Sequence, residues 1–300
     1  MAQQTTVLIT GCSPGGIGHA LAMEFHKRGC HVIATARRPG VLRELGAMGM
    51  STLQLDVTDQ ASVDACRDET AALTGGRLDM LVNNAGRMSV MPALDQDLDD
   101  AKAVFEANLF GTMRMCRAFG SLLMRARGLI INESSLGCTV CPPFYSVYSS
   151  AKAALIAYSR SLRRELRPLD VRVMVVVVGC VESAIWENPA SRTDLPPDSL
   201  YQPARDVFRR AQASDEFLRS TLADVFAAKL VTAALRGEGR LGGWVGGSPD
   251  WLWEGAYVGL GRLCMALPWG FSDLVSFVMC NGNRMTRLIR EAAAAKLKTA

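Results

Sequence analysis

Histidine is scarce in this chain: there are three in 300 residues, His19, His26 and His31, all near the beginning. No metal-binding or triad spacing is visible among them, so solvated or packing positions are expected. An excess of one charge is also lacking. The net charge of +4 comes from 33 basic and 29 acidic residues scattered along the chain, so no nucleic-acid partner is expected. Residues 1–6 carry no basic stretch leading into an apolar run and a cleavage site, so secretion is not expected. The long apolar region Gly255–Cys280 is broken by Arg262, Pro268 and Asp273. It is not a clean membrane-spanning helix, which takes about 20 apolar residues. Cysteine is plentiful, but nine is an odd number, dispersed in the way a reducing compartment allows. The single C-x-x-C, Cys138 to Cys141, has no second pair at a ligand spacing, and two small pocket-wall residues are expected there rather than zinc ligands. The expected location is the cytoplasm, with the cytosolic face of the endoplasmic reticulum or of lipid droplets as a refinement.

Hydrophobic residues make up 49 % of the chain, ample for a large core. Short apolar runs at Val7–Thr10, His31–Ala36, Thr52–Val57, Met80–Asn83, Leu129–Glu133 and Val171–Val178 read as strands buried on both faces. Helical stretches separate them: Gly16–Arg28, Gly40–Met48, Gln60–Leu73, Leu98–Arg125 and Tyr145–Leu166. The pattern is a repeated βαβ, giving a single doubly wound Rossmann domain of α/β class with a parallel seven-stranded sheet over residues 1–254. Gly242–Gly247 and Trp251–Trp253 both qualify as the seventh strand, and the second is preferred. Residues 180–220, with Pro189, Pro196, Pro197 and Pro203, break the rhythm and form an insert placed to cover a crevice. Residues 255–300 form an apolar to amphipathic extension. A cover over the site, an oligomer contact and a face resting on a membrane are three open readings of its 255–280 part.

Three motifs carry chemistry. Thr10-Gly11-Cys12-Ser13-Pro14-Gly15-Gly16-Ile17-Gly18 follows a strand and opens a helix, the context of a turn that holds a dinucleotide pyrophosphate. The second strand runs into Ala36-Arg37-Arg38 with no acid where one would bind ribose hydroxyls, and two guanidinium groups suit a 2′-phosphate. Tyr148 and Lys152 stand one helical turn apart, with Ser135 thirteen residues upstream. An ammonium fixed beside the phenol favours phenolate and is expected to lower the Tyr148 pKa.

Together these motifs resemble the short-chain dehydrogenase/reductase family over residues 5–185. The glycine turn is one residue longer than the usual family spacing, as in a subgroup of fungal reductases similar to 1-acyldihydroxyacetone-phosphate reductase. The resemblance implies NADP(H) bound by Gly11, Gly16, Ile17 and Gly18, with Ser13 as an extra phosphate donor and Arg37 and Arg38 on the 2′-phosphate. Asp56 and Val57 would lie at the adenine, and Asn84, Ala85 and Gly86 at the ribose. Asn83 would bond neighbouring backbone, and Val181 and Ser183 would meet the carboxamide, although Val178 replaces the family's proline before Gly179. Tyr148 would be the general acid in reduction, Lys152 its partner and a ribose ligand, Ser135 the donor to the substrate oxygen, and Asn108 the holder of a relay water.

A complete set argues against a non-catalytic NADP(H)-binding sensor or assembly protein. The expected substrate is a hydrophobic carbonyl compound, either an acyl dihydroxyacetone phosphate-like lipid or a polyketide or terpenoid ketone. Its pocket is expected from residues 87–92, 136–145 and 184–220, with Met88, Met91, Cys138, Cys141, Phe144 and Trp186 as a soft wall and Arg87 or Arg192 on a phosphate. Long helices at 98–125 and 145–166 imply, by the same resemblance, a homodimer or homotetramer, and 255–280 is the segment for any peripheral membrane contact.

Overall fold

Runs of four to seven apolar residues can be buried on both faces only when helices cover both sides of the sheet. The computed structural model describes residues 4–187, 193–213, 219–237, 239 and 246–299, and it has this arrangement. Strands β1 (Thr6–Ile9), β2 (His31–Ala36), β3 (Ser51–Gln54), β4 (Met80–Asn83), β5 (Leu129–Ser135), β6 (Arg172–Val178) and β7 (Trp251–Glu254) form one sheet in the order β3-β2-β1-β4-β5-β6-β7. All neighbours are parallel. Alternation along each strand splits the core into two layers. Val7 and Ile9 join helices Ile17–Lys27 and Ala223–Ala234 through Leu21, Phe25, Phe226 and Leu230. Leu8 joins helices Gln60–Thr74 and Gly111–Ala126 through Val63, Met115 and Phe119. The chain winds outward in opposite directions from β1 and β4, which leaves a crevice at their carboxyl ends.

The seventh strand is the Trp251 segment, while most of the competing 242–247 stretch lies outside the described residues. Three expectations needed correction. The third strand stops at Gln54, because the Asp56 carboxylate accepts bonds from the Thr58 amide (2.9 Å) and hydroxyl (2.7 Å) and turns the chain toward a helix capped by Asp59. The 40–48 helix begins as a 3₁₀ turn at Pro39–Leu42, followed by Arg43–Ala47. The helix expected over 98–125 is interrupted by a π turn at Glu106–Phe110, with Asn108 inside it.

The helix Ser146–Leu166, which carries Tyr148 and Lys152, is tied to the sheet along its length. Lys152 Nζ donates to the Glu133 carbonyl (2.8 Å), Ser134 Oγ donates to the Lys152 carbonyl (2.9 Å), and Arg163 Nε donates to the Val173 carbonyl (2.7 Å). Between these lies a buried polar ladder: Asn83 Nδ2 donates to Asn132 Oδ1 (2.8 Å) and Asn132 Nδ2 to Ser159 Oγ (2.9 Å). The Asn83 side chain thus meets another side chain rather than the backbone expected for it.

Three helices end the described chain, Val258–Ala266, Trp269–Met279 and Gly282–Thr299. They lie over the segment that follows β5. Ser272 donates to the Thr139 carbonyl (2.7 Å) and Ser276 to the Cys141 carbonyl (3.3 Å). Gly261 sits so close to Leu136 that a side chain there would collide with it. Met285, Leu288 and Ile289 pack on the cluster of Met88, Phe144 and Phe208, and Arg284 pairs with Asp206 at 2.7 Å. Among the described residues, no helix is long and apolar enough to cross a membrane.

Replacing Asn132 by Ala leaves Asn83 Nδ2 with the Cys116 sulfur at 3.6 Å and takes one bond from Ser159 Oγ, which still donates to the Leu155 carbonyl (2.7 Å), a loss of about 1–3 kcal/mol. A fall in the urea midpoint of that size, together with a lowered turnover number, is the expected result for Asn132→Ala.

Candidate active site

At the end of β1 the chain must turn sharply and present main-chain N–H groups. Gly11 and Gly15 adopt the left-handed backbone that the turn needs, φ 77° and 71°. Gly18 lies against the turn itself: an added Cβ would meet the Gly11 carbonyl oxygen at 2.6 Å and would also strike the Asn84 amide. The helix Ile17–Lys27 starts at Gly16 with no side-chain cap, so its first amides are available to an anion. Asn84 fastens the turn to β4 by donating to the carbonyls of Thr10 (2.6 Å) and Gly11 (3.1 Å), and the Thr10 hydroxyl accepts the amides of Asn84 (3.0 Å) and Ala85 (2.9 Å). Thr10, the first residue of the motif, therefore belongs with the cradle through its hydroxyl, a role that the glycine spacing does not signal. Ala184 N also bonds the Gly15 carbonyl (3.0 Å), which brings the Val181–Ser183 loop to the same place. Arg37 and Arg38 stand exposed beyond β2, and Ser13 is exposed on the turn. Val57 packs near Gly111, and Asp56 is folded into its own turn. The glycine cradle, the uncapped helix and the absence of an acid beside Arg37 fit a dinucleotide with a 2′-phosphate.

The second cluster lies beyond the end of β5. Ser135, Tyr148, Lys152 and Asn108 line one cavity of about 300 Å³, with Ile17, Asn84, Gly86, Val181 and Ser183 on its cofactor side. Ser135 Oγ accepts the Gly137 amide (3.1 Å) and is bonded to the Tyr148 phenol. Ser134 is committed to helix backbone, so of the two serines Ser135 faces the cavity chemistry. Lys152 Nζ lies 5.9 Å from the Tyr148 ring centre. The Asn108 side chain holds Arg87 by a pair of bonds: its Oδ1 accepts the Arg87 amide and its Nδ2 donates to the Arg87 carbonyl, both at 2.8 Å. Gly86 is a close fit here, because a Cβ would come within 2.7 Å of Asn108 Oδ1.

The electrostatics differ from the expectation for Tyr148. Burial pushes its phenol up to about 12, and the bond from Ser135 offsets only part of that. Burial also pulls the Lys152 ammonium down to about 8, against the opposing charge of Glu133. The ammonium spends its hydrogen bond on a main-chain carbonyl, and desolvation outweighs its effect on the phenol. Glu133 itself is buried, with its carboxyl pushed up to about 8 by desolvation. No signal in the sequence singled it out.

The remaining walls are mostly apolar and come from distant parts of the chain: Met88, Leu136, Val140, Ile185, Val207 and, from the C-terminal helices, Leu260 and Met279, with Arg210, Ser220 and Asn281 as polar members. Met91 and Phe144 instead belong to the packed cluster behind the wall, where Phe144 meets Tyr201 and Phe208 edge to face. Cys138 bonds the Ser135 carbonyl (2.8 Å) and Cys141 is exposed, so neither forms the wall expected of it. Arg87 lines the cavity but is paired with Asp100 at 2.7 Å. Arg192 and the Trp186 side chain lie outside the described residues.

A doubly wound sheet with a glycine cradle at the switch point, and a serine, tyrosine and lysine beside it, defines a nicotinamide-dependent oxidoreductase acting on alcohol or carbonyl groups. Residues 5–193 match the model of the short chain dehydrogenase family, and the chain belongs to that family of dehydrogenases and reductases. It is 41 % identical over 241 residues to the short-chain dehydrogenase PC-15 of Penicillium crustosum, covering 80 % of this chain and 88 % of that one. It is 38 % identical over 278 residues to the NADPH-dependent 1-acyldihydroxyacetone phosphate reductase of Schizosaccharomyces pombe, covering 89 % and 91 %. A short-chain dehydrogenase structure from Streptomyces avermitilis superposes with a TM-score of 0.75 at 26 % identity, covering 96 % of this chain and 98 % of the other. One from Burkholderia cenocepacia in complex with NADP gives 0.67 at 26 % identity, covering 89 % and 95 %.

Gly18→Ala is expected to weaken NADPH binding at least about tenfold, because the helix must move off the turn to admit one methyl group. Fluorescence titration with NADPH measures this without a substrate.

Proposed function

We propose that this protein is an NADPH-dependent reductase of hydrophobic ketones. The observation that carries the reading is the Ser135, Tyr148 and Lys152 group opening into a cavity whose far walls are mostly apolar. Arg37 and Arg38, with no acid beside them, support the choice of NADP(H) over NAD(H). NADPH held by the glycine turn would supply the hydride chemistry. Ser135 holds the substrate oxygen by a hydrogen bond, and Tyr148 gives its phenolic proton to that oxygen as alkoxide character develops. A phenol raised to about 12 is fully protonated near neutrality, the form a proton donor in reduction must have. Lys152, while charged, stabilises the phenolate left behind.

A lipid ketone such as an acyl dihydroxyacetone phosphate suits the apolar walls, and the relative from S. pombe carries that activity in its name. Its phosphate would need an arginine; Arg87 is engaged by Asp100, and Arg210 is the other arginine of the cavity lining. Unphosphorylated ketones of specialised metabolism are therefore the second reading. NADPH consumption with cyclohexanone, decalone and palmitoyl dihydroxyacetone phosphate separates the two. Turnover of the phosphorylated lipid alone supports the first, turnover of the simple ketones alone supports the second, and NADPH binding with no turnover of any ketone favours the sensor alternative.

The C-terminal helices also leave Leu263, Met265, Leu274 and Val278 about half exposed on the outside of the cavity roof. A face of this kind beside the Arg284, Arg287 and Arg290 helix supports peripheral contact with an anionic bilayer. Flotation with phosphatidylserine vesicles tests it: the Leu263→Ser, Leu274→Ser double variant should stay in the dense fraction while the parent floats.

Tyr148→Phe should keep NADPH affinity and lose about 10²–10⁴ in the turnover number, the usual worth of a positioned proton donor. Reduction should also decline as pH rises through about 8, because a folded pKa below the usual lysine value means Lys152 loses its charge there.

A further inference from the structure

Glu133 is a buried carboxyl group that the reaction described above leaves without a task. It sits on β5 two residues before Ser135 and lines the same cavity as Tyr148 and Lys152. Its residue is 4 % exposed, and its Oε1 has no hydrogen-bond partner. An ionisable group in such a place costs several kcal/mol unless something compensates it. Its main-chain carbonyl accepts the Lys152 ammonium at 2.8 Å, so the same residue meets Lys152 by a bond from its backbone and by charge from its side chain.

We infer that Glu133 is a positioning residue whose buried carboxyl is the counter-charge that keeps Lys152 an ammonium when the pH rises. This rests on the proposed roles of Tyr148 and Lys152. The titratable groups that face it are Lys152 and Tyr148 from the Ser146–Leu166 helix and Cys12 from the glycine-rich turn, while Val176 stands opposite on β6. Cys138 lies beside Lys152. Burial pushes the Cys12 thiol up to about 12 and raises Cys138, so both stay neutral and Lys152 is the cation of the group. Glu133 and Lys152 then titrate as a pair, each holding the other charged. Below the pair's range the carboxyl is protonated and Lys152 is charged. As the pH rises, the first proton leaves the carboxyl, and the carboxylate delays loss of the second from Lys152.

The test is the pH profile of the turnover number for NADPH-dependent reduction, from about pH 6 to about pH 10, for the parent, Glu133→Gln and Glu133→Asp. The alkaline limb of Glu133→Gln should move to lower pH by about one unit or more, and that of Glu133→Asp should stay nearer the parent. A uniform loss at every pH, or an unmoved limb, overturns the inference. Thermal unfolding supplies a readout without turnover. A carboxyl whose folded pKa lies above its unfolded value stabilises the fold at low pH, and that stability is lost as pH rises through the folded pKa. The melting midpoint of Glu133→Gln minus that of the parent should therefore increase between about pH 5 and about pH 8. A constant difference means that Glu133 holds no proton in that range and sinks the inference. A parent that turns over none of the ketones tells against the proposed function and leaves this second readout intact.

Discussion

The hydrogen bond from Lys152 to the Glu133 carbonyl is the constraint on which the site depends. It joins the Ser146–Leu166 helix to β5 at the point where the strand delivers Ser135. A shift of the helix by one turn would separate Tyr148 from Ser135 and break the polar ladder through Asn132 and Ser159 at the same time. The helix is therefore held by several short bonds to a sheet that cannot itself move, because both its faces are covered. Preorganisation of this kind supplies the fixed geometry that proton transfer requires.

Burial has a cost that the site turns to use. The same desolvation that fixes Lys152 lowers its hold on a proton, raises that of Glu133 and keeps Tyr148 neutral. For reduction a neutral phenol is the working form, so a raised Tyr148 pKa is compatible with its task. The simple picture of an ammonium lowering its neighbour fails here because the two groups share an interior in which every charge is expensive.

The C-terminal helices link substrate choice to the rest of the chain. Leu260 and Met279 line a cavity whose chemistry resides more than one hundred residues earlier. The helices are held to the body by two hydroxyl-to-carbonyl bonds, the close approach at Gly261, the packing of Met285, Leu288 and Ile289 on the Phe144 cluster, and the Arg284–Asp206 pair.

Much of this was legible from sequence because it is local. The runs at His31–Ala36 and Met80–Asn83 are strands with the bounds their apolar content suggests, and Gly11 and Gly15 after β1 take the left-handed backbone that glycine permits. The spacing of Tyr148 and Lys152 placed them on one face without knowledge of the fold. The early end of β3 and the π turn at Asn108 were not legible, because Asp56 and Asn108 are claimed by backbone elsewhere: Thr58 for the first, Arg87 for the second. The sequence by itself determined the alternation of strands and helices and the dinucleotide turn, which follow from periodicity and short-range spacing, while the roles of Ser135, Tyr148 and Lys152 came from the family resemblance. Tertiary structure alone decided that Glu133 shares an interior with Lys152, that Phe144 packs behind the wall, and that the last helices roof the cavity. Those outcomes depend on which distant surfaces exclude water together, and no local pattern records that.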